Sequence, residues 1–129
     1  MYDQISYVVA GNPNTPTRVL ERLARTGDRL VRRHVAENEN SPLELLEKLA
    51  ADLDPEVKVA ALSNKNGPRF AVGSILESGD LQVLLLLADE NWLPEEVLWT
   101  LVEDSNPYVA KQAVRTVNRK FFERRKWKD

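Results

Sequence analysis

The chain has 129 residues, of which 43% are hydrophobic and 29% charged, and it holds no cysteine. This composition is that of a folded rather than a disordered chain, of a length suited to one domain, and it excludes disulfides, iron–sulfur clusters and thiolate zinc sites. The net charge of −2 is unevenly placed: from Arg115 to Asp129 seven Lys/Arg meet only Glu123 and Asp129, so a segment of +5 follows a body of −7.

Residues 1–12 read as half of a repeat, because Ile5, Val9, Ala10 and Asn12 stand 26 residues before Val31, Val35, Ala36 and Asn38. Four repeats follow over residues 13–116. Pro16, Pro42, Pro68 and Pro94 recur at a step of 26, as do Asp28, Asp54, Asp80 and Asn106, each of the latter followed three residues on by Val31, Val57, Val83 or Val109. Two landmarks in one register specify a tandem array.

Each copy predicts two helices. The first has its proline at the first helical position, where the missing N–H has no intrahelical partner. Thr15 and Ser41 are expected as N-caps, with a capping box from Ser41 to Glu44. Apolar residues then recur at helical spacing, as in Val19, Leu20 and Leu23, Leu45, Leu46 and Leu49, Val72, Ile75 and Leu76, and Val97, Leu98 and Leu101. Gly27 and Gly79 end two of these helices. The second helix starts at the Asp/Asn landmark, with Pro55 and Pro107 at its first position. Its inward column is Val31/Val35, Val57/Ala61, Val83/Leu87 and Val109/Ala113, joined by a second apolar column of Ala36, Leu62, Ala88 and Val114. At about ten residues such helices are marginal alone and depend on their neighbours. In the basic segment 117–129, Phe121, Phe122 and Trp127 are expected to fold against the last repeat as a cap. The expected architecture is a single all-α domain over residues 1–129, a right-handed α-solenoid of helical pairs with a C-terminal capping helix.

The stretch from Val35 to Val57, with Val35-Ala36-Glu37-Asn38, Ser41-Pro42 and Asp52-Leu53-Asp54-Pro55-Glu56-Val57, resembles the leucine-rich repeat variant family. That family has a Val-Ala-x-Asn-Pro-x-Thr-Pro start and an Asp-x-Asp-Pro-x-Val join. The likeness extends over roughly residues 5 to 115, returns at Asp104-Ser105-Asn106-Pro107-Tyr108-Val109, and fades in the third copy. It implies an α-solenoid related in shape to HEAT and armadillo repeats. The step here is longer than in the family, whose second element is a 3₁₀-like helix, which leaves the second helices open between α and 3₁₀. The cysteine-rich iron–sulfur segment of some members is missing, and the resemblance says little about function.

Positions that depart from their own column carry the functional expectations. Leu85 shares a column with Arg33, Val59 and Lys111, and Leu86 with His34, Ala60 and Gln112; since a helix cannot turn Leu84 to Leu87 inward together, Leu85 and Leu86 are expected at the surface with Val59 one repeat away. Such a patch suits a partner protein or a second copy, unless the C-terminal segment or a change of superhelical twist covers it. Trp99 falls in the outward column of Glu21, Glu47 and Gly73, and Trp92 in the loop before it; both are interface candidates, although Trp99 could instead fill the gap left by Gly73. Arg119, Lys120, Arg124, Arg125, Lys126 and Lys128, interleaved with aromatic rings, have the chemistry for nucleic acid, or for a solvated capping helix. His34, the sole histidine, reads as a solvated margin residue, and the recurrent aspartates as caps rather than acid–base groups. No catalytic residue, metal or cofactor is expected. The expected function is a non-enzymatic protein-interaction or scaffold module in a reducing cytoplasm, binding an unidentified protein or itself as a homodimer, with nucleic-acid binding as the alternative. No apolar run is long enough for a membrane span.

Overall fold

The structure, a computed structural model, describes residues 4–128 and the side chains of residues 4–123. Among these residues there are nine α-helices, one 3₁₀ turn and no strand. The chain divides into two compact units, Met1–Glu77 and Ser78–Asp129. The first contains α1 (Gln4–Gly11), α2 (Thr17–Thr26), α3 (Arg29–Glu37), α4 (Leu43–Leu49), α5 (Pro55–Ser63), the 3₁₀ turn Arg69–Ala71 and α6 (Val72–Glu77). The second contains α7 (Leu81–Ala88), α8 (Glu95–Val102) and α9 (Pro107–Lys128). No helix of the described residues is long and apolar enough to cross a membrane.

The Asp/Asn landmark does what its spacing predicts. Asp28 Oδ1 accepts from the Val31 amide, Asp54 from Glu56 and Val57, Asp80 from Gln82 and Val83, and Asn106 from Tyr108 and Val109, at 2.9–3.4 Å. Each bond satisfies an amide that the first helical turn leaves without a partner. The second helices are α-helical, at nine residues in α3 and α5 and eight in α7. A 3₁₀ turn occurs instead in the third repeat's first helix, between Pro68 and Val72.

The proline landmark differs from expectation. Pro16, Pro42 and Pro94 lie one residue before their helices, in extended backbone, and none of these helix starts has a side-chain cap. Thr15 and Ser41 are not N-caps. Their hydroxyls point back along the chain and donate to the carbonyls of Val9 (2.5 Å) and Val35 (2.6 Å), closing the end of the preceding helix. A residue before proline is driven to extended backbone, which keeps Thr15 and Ser41 out of a box with the following turn.

In the first unit α1, α3 and α5 stack side by side, with α2 on α1 and α3 and α4 on α3 and α5. This is the packing of a helical repeat array. Within this stack α3 is flanked by α1 and α5, and α5 has α3 on one flank, α4 on its face and the 3₁₀ turn beside it. The buried arc of α5 is therefore wider than the stripe of an ordinary surface helix. That width corrects the expectation for Val59, which is only 4% exposed: α5 packs against α3, α4 and the 3₁₀ turn, and Val57, Val59, Ala61 and Leu62 are all buried.

A ladder of asparagines ties the stack together. Asn38 Nδ2 donates to the carbonyls of Ala10 and Asn12, both at 2.8 Å, and Asn64 Nδ2 repeats the pattern on Ala36 (2.9 Å) and Asn38 (2.8 Å). Each Oδ1 also accepts the amide two residues on, from Asn40 and Asn66. Asn40 reaches Thr15, and Asn66 reaches Glu39 and Ser41. The helix-end carbonyls that an α-helix leaves open are thus satisfied by the next repeat. Beside the ladder, Arg32 forms a two-pronged ion pair with Asp52 (2.8 and 3.2 Å) and donates to the Gly27 carbonyl at 3.1 Å. Desolvation acts to raise the Asp52 carboxyl, but the Arg32 hydrogen bond, the Asp54 amide and the charge of Arg32 outweigh it and hold it below the usual aspartate value.

Gly27 ends α2 because only glycine fits: a Cβ there would meet Val31 Cγ1 at 2.5 Å and the Leu23 carbonyl at 2.6 Å. Gly79, beyond α6, has φ +72, in the left-handed region that favours glycine.

Candidate docking cleft

The second unit is organised by α9, which packs on both α7 and α8. Val109, Ala113 and Thr116 are buried along its inner face, and the same 3.6-residue period brings Val117 and Lys120 to that side, half-buried. Thr116 takes the asparagine's place: its hydroxyl donates to the Ala88 carbonyl at 2.5 Å. Arg119 donates through Nε to Asn91 Oδ1 (2.9 Å) and through Nη2 to the Asp89 carbonyl (2.7 Å), and Lys120 Nζ donates to the Leu93 carbonyl (2.9 Å). Two of the six cations that the sequence offers for nucleic acid are therefore engaged in fastening α9 to the loop before α8. The side chains of Arg124, Arg125, Lys126 and Lys128, and of Trp127, lie outside the described residues.

The expectation that Phe121 and Phe122 fold inward is corrected. Phe121 is 55% and Phe122 77% exposed. Lys120 occupies the inward position of this turn, leaving Phe121 on the rim and Phe122 about a third of a turn farther round.

Between α8 and α9 lies an open cleft of about 260 Å³, walled by Glu95, Leu98 and Trp99 on one helix and Val117, Asn118, Lys120 and Phe121 on the other. Leu98, fully buried, is its floor. Trp99 is 56% exposed, and a Cβ added at Gly73 would meet open space. The ring of Trp99 lines the cleft and is open to solvent there. Trp92, in the loop before α8, is half-buried. Leu85 and Leu86 are half-buried rather than fully exposed, and Val59 is buried. Val83, Leu84, Leu87 and Ala88, the buried residues of α7, already span about 140° of the helix, and Leu85 and Leu86 flank that arc.

His34 is half-buried rather than solvated. Its ring stacks on Tyr7, with centroids 3.7 Å apart and planes tilted by 33°, and Nδ1 lies 3.1 Å from the Tyr7 carbonyl, which assigns the proton to Nδ1. Gly11 leaves room for it, since a Cβ there would come within 2.8 Å of Nδ1.

Sequence reasoning singled out Trp99 but not its cleft. Asn118 and Val117, one helical turn before Phe121, follow from the period of α9 once Thr116 is placed inward. The asparagine ladder was also missed, although Asn12, Asn38 and Asn64, and Asn14, Asn40 and Asn66, recur at the same step as the prolines.

Residues 29–54 match the model of the leucine rich repeat variant family. The match begins with α3, runs through α4 and closes at Asp54, the cap of α5, so it covers one helical pair together with the Arg32–Asp52 ion pair. No curated protein and no solved structure matches the chain.

Proposed function

Starting from the leucine rich repeat variant at residues 29–54, we propose that the chain is a non-enzymatic protein-interaction module whose docking surface is the cleft between α8 and α9. The finer architecture proposed with it is a right-handed α-solenoid of 26-residue helical pairs ending in a capping helix, and the setting is the cytoplasm. The observation that carries the reading is the pair of aromatic rings, Trp99 and Phe121, each more than half exposed on opposite walls of one cleft with an apolar floor. Covering the exposed part of a tryptophan would contribute about 2–3 kcal/mol to an interface, and such rings dominate binding energetics where they are desolvated. The acidic side chains that recur along the array support a non-enzymatic role, because Asp28, Asp54 and Asp80 cap helices.

Peptides selected from a displayed library for binding the chain should lose at least tenfold in affinity on Trp99→Ala or Phe121→Ala and be unaffected by Leu53→Ser, a change at an exposed residue of the first unit. Binders indifferent to both cleft substitutions would remove the basis of the reading. The outer face of α9 supports a second reading, nucleic-acid binding: among the described residues Lys111 and Arg115 are exposed and make no ion pair, and Phe122 lies exposed farther along the helix. It requires a gel shift at low salt that weakens in Lys111→Ala/Arg115→Ala.

A further inference from the structure

We infer that the α8–α9 cleft takes a cationic peptide segment, a Lys or Arg side chain laid across Trp99 with α8 carboxylates around it; this rests on the docking reading above and names its partner chemistry. The α8 wall of the cleft is acidic, and the basic residues of this unit are confined to α9. From Ser78 to Ala110 the chain holds Asp80, Asp89, Glu90, Glu95, Glu96, Glu103 and Asp104, and not one Lys, Arg or His. On α8 and its C-terminal cap, Glu96, Trp99, Thr100 and Glu103 are all exposed, at the i, i+3, i+4, i+7 spacing that puts them on one helical face. An exposed indole bracketed by carboxylates is a receptor for a cation. The ring face is electron-rich and attracts an ammonium or guanidinium, the aliphatic stem of Lys or Arg covers the apolar ring, and the carboxylates add long-range attraction.

Two details sharpen the assignment. Lys120 is the one cation lining the cleft among the described residues, and its ammonium is held 2.9 Å from the Leu93 carbonyl; Arg119 is turned to Asp89 and Asn91. Neither cation is ion-paired with Glu96 or Glu103. In addition, Glu103 stands at the C-terminal cap of α8, where the helix dipole is negative and reinforces its field, whereas Glu95 and Glu96 at the N-terminal turn are partly offset by the dipole. An anionic partner would meet repulsion along the whole helix.

The test uses the full chain labelled with ¹⁵N and observes the indole N–H resonances, that of Trp99 being assigned from Trp99→Phe. The probes are a short unstructured peptide alternating Lys with Gly, its Gln-for-Lys analogue and its Glu-for-Lys analogue. The Lys peptide should shift the Trp99 resonance, with affinity, followed on the backbone amides of α8 in every variant, falling about tenfold in Trp99→Ala, several-fold in Glu96→Gln/Glu103→Gln, and further with added salt. The two glutamates are exposed, so their replacement leaves the fold intact. A Gln peptide that shifts Trp99 equally well would overturn the cationic assignment while leaving the docking reading standing. A Trp99 resonance that no probe moves at millimolar concentration would remove both. Stronger binding of the Glu peptide, or a Trp99 shift that follows protein concentration alone and so reports a second copy in the cleft, would also overturn the inference.

Discussion

Asn64→Ala tests the load carried by a single rung of the ladder. In the folded protein the Asn64 side chain is nine-tenths buried and makes three hydrogen bonds: to the carbonyls of Ala36 (2.9 Å) and Asn38 (2.8 Å), and from the Asn66 amide (2.9 Å). A net contribution of about 1 kcal/mol for each, with two carbonyls left facing a cavity too apolar to solvate them, predicts a loss of about 3 kcal/mol. For a chain of this size that corresponds to a fall of about 10 °C in Tm. Urea unfolding followed by far-UV circular dichroism measures the loss, and amide exchange places it. Protection should fall in α3 and α5 before α8 and α9, since coupling in a repeat array is between neighbours. Asn64→Asp should be at least as damaging, because it sets a carboxylate against two carbonyl oxygens without a donor. Asn14→Ala, at an exposed position, should cost under about 0.5 kcal/mol. A loss below about 1 kcal/mol in Asn64→Ala, or one equal to that of Asn14→Ala, would refute the claim that the ladder holds the stack.

Three further outcomes are expected. Asp52→Ala should cost about 2–3 kcal/mol by stripping the partly buried Arg32 of its partner; and because the folded-state carboxyl is held below its unfolded value of about 3.9, the pair's contribution is fully present above that value and lost as the pH falls through the lower, folded-state one, so the wild-type advantage over Asp52→Ala in acid unfolding curves should shrink there. Gly27→Ala should destabilise by about 2 kcal/mol or more through the close approach of Val31 and the Leu23 carbonyl, whereas Gly73→Ala, into open space within α6, should stabilise by about 0.5–1 kcal/mol; thermal melts of the two variants move in opposite directions. Phe122→Ser should change stability by under about 0.5 kcal/mol, which separates an exposed ring from the buried cap that the sequence suggests.

Local chemistry was the legible part of the fold. The Asp and Asn landmarks start helices wherever they recur, because capping is decided within three residues of chain. The prolines marked the boundaries correctly and the cap roles of Thr15 and Ser41 incorrectly, because nothing local distinguishes a hydroxyl that serves the next helix from one that closes the previous helix. Burial in the flanks was not legible. Val59 shares its column with Arg33 and Lys111 and so reads as outward, yet α5 packs against α3, α4 and the 3₁₀ turn together, which widens its buried arc. Phe121 and Phe122 read as inward by hydrophobicity alone, while the period measured from Val109 gives that place to Lys120, whose long apolar stem and terminal donor suit a half-buried site beside a free carbonyl.

The two kinds of repeat contact also indicate where the chain is free to carry a function. In the first unit the helix-end carbonyls are answered by asparagines in register, the same geometry at Asn38 and at Asn64, and a side chain bound that closely to the period cannot vary without loosening the stack. In the second unit the corresponding work is done from a single helix by Thr116, Arg119 and Lys120, which reach Ala88, Asp89, Asn91 and Leu93. With those bonds supplied by α9, the outer face of α8 contributes little to holding its own unit together, and it is there that the exposed Trp99 and the exposed carboxylates of Glu96 and Glu103 stand together. If that division is correct, substitutions at Trp99, Glu96 and Glu103 will alter binding while leaving the melting temperature within a few degrees of wild type, and substitutions at Thr116 and Arg119 will do the reverse; a variant of Trp99 that unfolds the second unit would show that the ring is part of the scaffold after all.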